Sequence, residues 1–214
     1  MKTTLKHHLS RLGMLPLLDS FRRLPETRRW IINGCTGIAP PPVKRKVLMA
    51  YLHKYALNQF IETGTHQGDT LAYMAYDKNI HCTSMELADG YYQQAKDRFE
   101  SYTNVNLLHG DSGVLIPTVV RQLTTPALFW LDGHYSGGLT ARGDTDTPIS
   151  AELTTILASQ CKTHVILIDD ARCFDGSNGY PYLDDLLKTV REQSSYCIEV
   201  STDIIRLTPN SSLQ

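Results

Sequence analysis

The sequence predicts an α/β fold, doubly wound and Rossmann-like, with a mainly parallel seven-stranded sheet, a C-terminal antiparallel hairpin and an N-terminal helical extension. Three observations carry this expectation. Short apolar runs alternate with helical stretches from about residue 58 onward, the pattern of successive βα units. The central runs ALFWLD and HVILID are continuously apolar, as strands covered by helices on both faces must be. The last two runs, Cys197 to Ser201 and Ile204 to Thr208, are joined by two residues, which permits only a tight antiparallel hairpin.

In chain order, residues 3–24 can form helix, interrupted near Gly13 and Pro16. The linker-like stretch NGCTGIAPPPVKRK follows, in which Pro40 to Pro42 stop any helix, and Val43 to Ala56 reads as helical again. Seven strand-like runs come next: NQFIE, HCTSME, VNLLH, ALFWLD, HVILID, YCIEVS and DIIRLT. Helical stretches at 69–77, 89–102, 113–122, 149–160 and 182–193 connect the first six. The boundary falls between a basic helical extension, residues 1–56, and the sheet-forming domain, residues 57–214.

The chain has 214 residues, 42% hydrophobic and 20% charged, which suits one sizeable domain with a short accessory segment. No apolar run approaches the ~20 residues that span a bilayer, so a transmembrane protein is not expected. The N-terminus lacks an apolar core and a small-residue cleavage site and reads as mature protein rather than a signal peptide. Cys35, Cys82, Cys161, Cys173 and Cys197 are odd in number and form no CxxC pair. Reduced, packed thiols in a cytoplasmic protein fit them best. Residues 1–54 carry a net charge of +9 and the remainder −10. Such asymmetry suits an anionic partner, a membrane surface, or a basic arm docked on an acidic core. The arm has little aromatic interleaving, so no nucleic-acid partner is expected.

The segment FIETGTHQGDT is the most telling. Strand, Gly turn and helix bring backbone close to a nucleotide-like ligand. The strand ends in an acid, Glu62, where a phosphate would favour a bare helix N-terminus. An acid there suits a ligand with a cation and donors. S-adenosylmethionine, with an amino group, a sulfonium and no phosphate, is such a ligand. Glu86 follows the turn by about 20 residues, where a carboxylate can accept ribose hydroxyls. NAD shares that feature, but GTHQG is not GxGxxG. The alternative role for Glu86 is a charge at the N-terminus of the helix after it.

Ligands of an open parallel sheet bind at the carboxyl ends of its strands. Here those ends carry Glu62-Thr63-Gly64-Thr65, Glu86, Asp111-Ser112, Asp132-Gly133-His134 and Asp169-Asp170, all converging on one rim. Asp111 and Ser112 can meet an adenine edge or cap the following helix. Asp132, Asp169 and Asp170 end two strands that neighbour each other in this topology. Close carboxylates need protons or a cation, and hard oxygens suit Mg2+. The alternative is that Arg142 or Arg172 pairs with them and no metal binds.

These rim residues resemble the metal-dependent class I O-methyltransferases of the catechol and caffeoyl-CoA type. In that family an acid ends strand one before a Gly turn, a Met-Glu pair ends strand two, and a serine follows strand three. Metal-binding acids end strands four and five, the latter commonly as Asp-Asn. The matching residues are Glu62, Met85-Glu86, Ser112, Asp132 and Asp169-Asp170, in order over about residues 58–208. The loop LFWLDGHYSGGLTARGDTDTP is also similar to that of uncharacterised bacterial proteins of methyltransferase type.

The resemblance implies a catalytic domain that transfers a methyl group from S-adenosylmethionine to a small-molecule or glycan-type hydroxyl, with Mg2+ as candidate helper. Glu62, Gly64, Thr65, Gly68, Glu86, Asp111, Ser112 and Asp132 are then cofactor-binding candidates, and Asp132, Asp169 and Asp170 the metal candidates. Two departures stand out. The family places a lysine base just after the strand-four acid, where this chain has Gly133-His134-Tyr135. His134, titrating near neutrality, becomes the candidate base beside Asp132. The strand-five pair is Asp-Asp, not Asp-Asn. A metal-independent transferase and a nucleoside-binding module without catalysis are the rival readings. In the loop over the site, Arg142 can meet an anion and Tyr135 can stack on a ring. The basic arm can shape the acceptor pocket, recruit an anionic partner or mediate homodimerisation.

Overall fold

The computed structural model describes residues 21–133 and 147–210. Helices α1 (Leu24–Ile32) and α2 (Pro41–Lys54) precede β1 (Gln59–Thr63). There follow α3 (Asp69–Met74), β2 (His81–Glu86), α4 (Asp89–Phe99), β3 (Val105–His109), α5 (Ser112–Gln122) and β4 (Leu128–Leu131). The chain continues through α6 (Ile149–Ala158), β5 (Val165–Ile168), α7 (Leu183–Gln193), β6 (Tyr196–Ser201) and β7 (Ile204–Pro209). All seven expected strands are present. Helices α3, α4 and α6 stop two or three residues short of their sequence-based ends.

The sheet order is β3-β2-β1-β4-β5-β7-β6. The first five strands are parallel, and β7 runs antiparallel to both β5 and β6. Thr202 and Asp203, between β6 and β7, both have positive φ (54° and 64°). Two left-handed residues in a two-residue connection match the right-handed twist of the strands they join.

Alternation along the strands divides the core into two layers. Ile61, Phe129, Leu131, Ile166 and Ile168 pack on one face with α5, α6 and α7. Phe60, Leu128, Trp130, Val165 and Leu167 pack on the other with α2, α3 and α4. The strand period of two accounts for this split. Helix α2 lies on the extension side of the expected boundary at residue 56, and its Leu48 and Leu52 are buried in the second layer. It starts at Pro41, two residues earlier than the sequence suggested. Proline is tolerated there because the first-turn N–H groups have no helical partner. Helix α1 buries none of its residues among the described part of the chain.

The five cysteines are free thiols. Packing as small apolar residues holds for Cys82, whereas Cys35 and Cys197 are exposed. Among the described residues no helix is long and apolar enough to cross a membrane.

Candidate active site

The carboxyl ends of β1, β2, β4 and β5 meet at one edge, and the parallel register fixes which residues face one another. Thr63 is level with Met85 on one side and Leu131 on the other. The chain turns immediately beyond. The Gly64 and Thr65 N–H groups donate to the Met85 carbonyl (3.0 and 3.1 Å). Gly64 has φ +80°, and a Cβ on it would lie 2.6 Å from the Asp132 carbonyl oxygen. Gly68, at φ +71°, sits against the Phe99 ring, which a Cβ would approach to 2.7 Å. The turn therefore needs glycine at both ends, for conformation and for space. Arg98 braces it from α4, donating to the Gln67 carbonyl and to Asp69.

Glu62 lies beneath this turn, 2% exposed. Ser84 donates to its Oε2 at 2.6 Å, and Thr65 shares a hydrogen bond with Ser84 at 2.7 Å. Burial pushes the Glu62 pKa up to about 8, against the Ser84 hydrogen bond and the Arg45 charge, which pull it down. A cation brought beside this carboxyl would favour its ionised form. Glu86 accepts from the His66 N–H (2.7 Å) and the Ala88 N–H (2.8 Å). It ties the Gly turn to β2, and each oxygen keeps a lone pair for a hydroxyl. Asp111 caps α5, accepting from Gly113 N–H at 2.8 Å, the alternative its sequence context allowed. Ser112, buried, turns instead to Glu152.

Asp132, Asp169 and Asp170 come together as expected, each offering an oxygen within 4.8 Å of the others. Asp170 is left-handed (φ 56°, ψ 48°), a conformation aspartate tolerates better than most residues. Burial, then the charges of Asp169 and Asp170, hold Asp132 well above the usual carboxylate range. Burial likewise lifts Asp169 to about 6, against the Lys44 charge. Lys44 donates to Asp169 at 2.5 Å and to Asp170 at 3.2 Å. Burial by itself would lower its pKa, but Asp169, then Asp170 and Asp132, raise it. Arg172 also reaches Asp170 (2.8 Å) and pairs with Asp203. The carboxylates are the hard-oxygen set that Mg2+ favours. As the site stands, Asp169 and Asp170 already hold protein cations, and a metal bound to the same oxygens would have to displace Lys44. The residues do not fit a divalent ion without that displacement.

Three functional candidates escaped the sequence reading. Lys44 and Arg45 belong to the basic segment, whose sequence shows a collective charge and singles out neither residue. Glu152, 1% exposed on α6, reaches Ser112 and Thr63, and burial raises its pKa to about 7 against those hydrogen bonds. The available signals were a lone acid in the apolar helix ISAELTTILA, and Lys44 lying four and eight residues before Leu48 and Leu52. His134, Tyr135 and Arg142 lie outside the described residues. Tyr180, in the connection between β5 and α7, lines the same small cavity as Asp132, Asp169 and Glu152.

A cleft of about 280 Å3 opens over the Gly turn, lined among others by Lys44, Arg45, Glu62, Gly68, Trp130 and Asp132. Solved structures share this architecture. The O-methyltransferase TomG of Streptomyces achromogenes, involved in tomaymycin synthesis and solved with S-adenosylmethionine, superposes with a TM-score of 0.59 at 15% identity over 81% of this chain and 82% of its own. The O-methyltransferase of Bacillus cereus, solved with S-adenosylhomocysteine, gives 0.58 at 12% identity over 87% and 90%. The Podospora anserina methyltransferase PaMTH1, also bound to S-adenosylhomocysteine, gives 0.58 at 14% over 80% of each chain. The fold is the class I methyltransferase fold. No protein-family model and no curated protein matches the sequence. Within the class I methyltransferase fold, the Gly turn and the acid rim occupy the crevice at the strand ends where open α/β sheets bind ligands.

Proposed function

We propose that the protein is an S-adenosylmethionine-dependent O-methyltransferase. The observation that carries this reading is the buried Glu62 carboxyl, held by Ser84 beneath a glycine turn, with Glu86 tied to the same turn. Glu62 faces the cofactor's amino group, the turn lets its methionine portion approach the backbone, and Glu86 accepts the ribose hydroxyls. Fold likeness to transferases solved with this cofactor or its product is consistent with that reading, although function resides in the site rather than the fold.

In the reaction, an acceptor oxygen attacks the methyl carbon in line. The C–S bond breaks with its electron pair returning to sulfur, and the acceptor proton passes to a base. Orientation supplies much of the rate, and the rim of Asp132, Asp169 and Lys44 lies where an acceptor hydroxyl would be held. His134 is the proposed base. The acceptor class is a small molecule or a glycan-type hydroxyl. The free thiols favour a cytoplasmic setting. Homodimerisation through the basic segment belongs to the same proposal.

Calorimetric titration of the full chain with S-adenosylmethionine, with NAD as control, tests the reading. One saturable site is expected for S-adenosylmethionine and none for NAD. Glu86→Gln should weaken the affinity about tenfold, since it removes a charged acceptor worth ~1.5 kcal/mol. Absence of binding overturns the assignment.

A further inference from the structure

The acid rim already contains a cation, and it comes from the segment that precedes the sheet. Lys44 stands on the first turns of α2, on the stripe that carries Leu48 and Leu52 four and eight residues later. Those two leucines are buried in the sheet's second core layer, 0% and 1% exposed. Packing therefore fixes the rotation of α2, and the same rotation directs Lys44 over the ends of β4 and β5. Its side chain is 13% exposed and spans from the helix to Asp169 (2.5 Å) and Asp170 (3.2 Å). Arg172 donates to the same Asp170 oxygen at 2.8 Å.

We propose that Lys44 is the resident cation of the site: its ammonium occupies the position among Asp132, Asp169 and Asp170 that a divalent metal would fill, and the site works without one. The inference rests on the methyltransferase reading for its catalytic meaning, but the occupancy itself is a property of the helix and the rim. Two ions cannot share this space. A divalent cation would compete for the oxygens that Lys44 engages on Asp169 and Asp170, and two positive centres a few ångströms apart repel strongly in a partly dry site. A lysine on a packed helix is preorganised, so no metal has to be captured and dehydrated. Lys44 then acts as a positioning residue, holding Asp169 and Asp170 together and providing positive potential where an acceptor oxygen gains negative charge.

Uptake of Mn2+ by the full chain, followed by the electron paramagnetic resonance signal of free Mn2+, tests this. The wild type should leave Mn2+ free under conditions in which Lys44→Met takes up one equivalent, an affinity gain of at least tenfold. Methionine keeps most of the stem, so the fold is expected to survive, and circular dichroism checks it. Lys44→Arg retains the charge and should exclude Mn2+ as the wild type does. Asp169→Asn added to Lys44→Met should abolish the new uptake. Equal uptake by wild type and Lys44→Met, or no uptake by a folded Lys44→Met, overturns the proposal. S-adenosylmethionine titration of the same samples separates the two claims. Cofactor binding with equal Mn2+ uptake rejects Lys44 alone, and the expected Mn2+ pattern without cofactor binding rejects only the methyltransferase reading.

Discussion

At Gly64 a single added carbon decides whether β1 and β4 can end side by side. The residue has φ +80°, and its hypothetical Cβ would meet the Asp132 carbonyl oxygen at 2.6 Å, the Asp132 carbonyl carbon at 3.1 Å and the Gly133 Cα at 3.2 Å. All three are backbone atoms of the neighbouring strand end and cannot rotate away. Gly64→Ala should destabilise the protein by roughly 2 kcal/mol or more, from left-handed strain plus the displaced strand end. Urea unfolding measures it, and an unchanged midpoint would refute the argument. The same variant should move Asp132 away from Asp169 and lower any transfer activity. Residues of this kind were legible in the sequence because a glycine after an acidic strand end has few other uses. Glu62, Glu86 and the three rim aspartates follow from the same reasoning about strand ends. The partners of those acids were not legible. Nothing in the local sequence says that Lys44 will meet Asp169, because 125 residues separate them and only the packing of α2 joins them.

Helix α2 shows how an element can be read correctly and still be given too small a part. Its helical character follows from the good helix formers after Val43, and the sequence reading is right to within two residues at its start, the prolines beginning the helix rather than stopping it. Its role does not follow, because its apolar stripe is short and interrupted by basic residues. Burial of Leu48 and Leu52 against Phe60, Leu128 and Trp130 makes the helix a structural support of the sheet. Leu52→Ala should therefore cost about 2–5 kcal/mol, the range for a fully buried leucine that leaves a cavity. Equilibrium urea denaturation tests it, and a cost below 1 kcal/mol would mean that α2 is a detachable arm. The strands of the central sheet were easier to anticipate, since β4 and β5 are uninterrupted apolar runs that admit no other placement. The hairpin was legible for a different reason: two residues cannot lead back to a parallel strand. The polar, glycine-rich stretch that follows Gly133 offered composition but no strand or helix pattern.

Across the whole molecule, the buried acids give stability a direction in pH. Glu62 and Glu152 are both buried, with pKa values near 8 and 7 against an ordinary 4.5. Asp132 is shifted upward in the same sense. Between the unfolded and folded values the folded state holds protons that the unfolded chain has released, so each group's contribution is full below about 4.5 and declines as pH rises through its folded value. His164 works the other way. Burial, then the Lys162 charge, lower its pKa from 6.5 to about 4, and its contribution grows as pH rises from 4 to 6.5. The two trends oppose each other below pH 6.5, and only the acids act above it. Stability of the ligand-free protein should consequently fall between pH 6.5 and 8 by on the order of 1–2 kcal/mol, visible as a falling midpoint in urea. The double variant Glu62→Gln/Glu152→Gln should flatten that slope. S-adenosylmethionine should flatten part of it too, because its ammonium beside Glu62 favours the ionised carboxylate and returns the pKa toward its ordinary value. A flat profile in the wild type would mean that Glu152 and the Glu62 carboxyl under the Gly turn are already ionised at neutral pH. The turn would then present a permanent negative charge instead of a proton that the cofactor displaces.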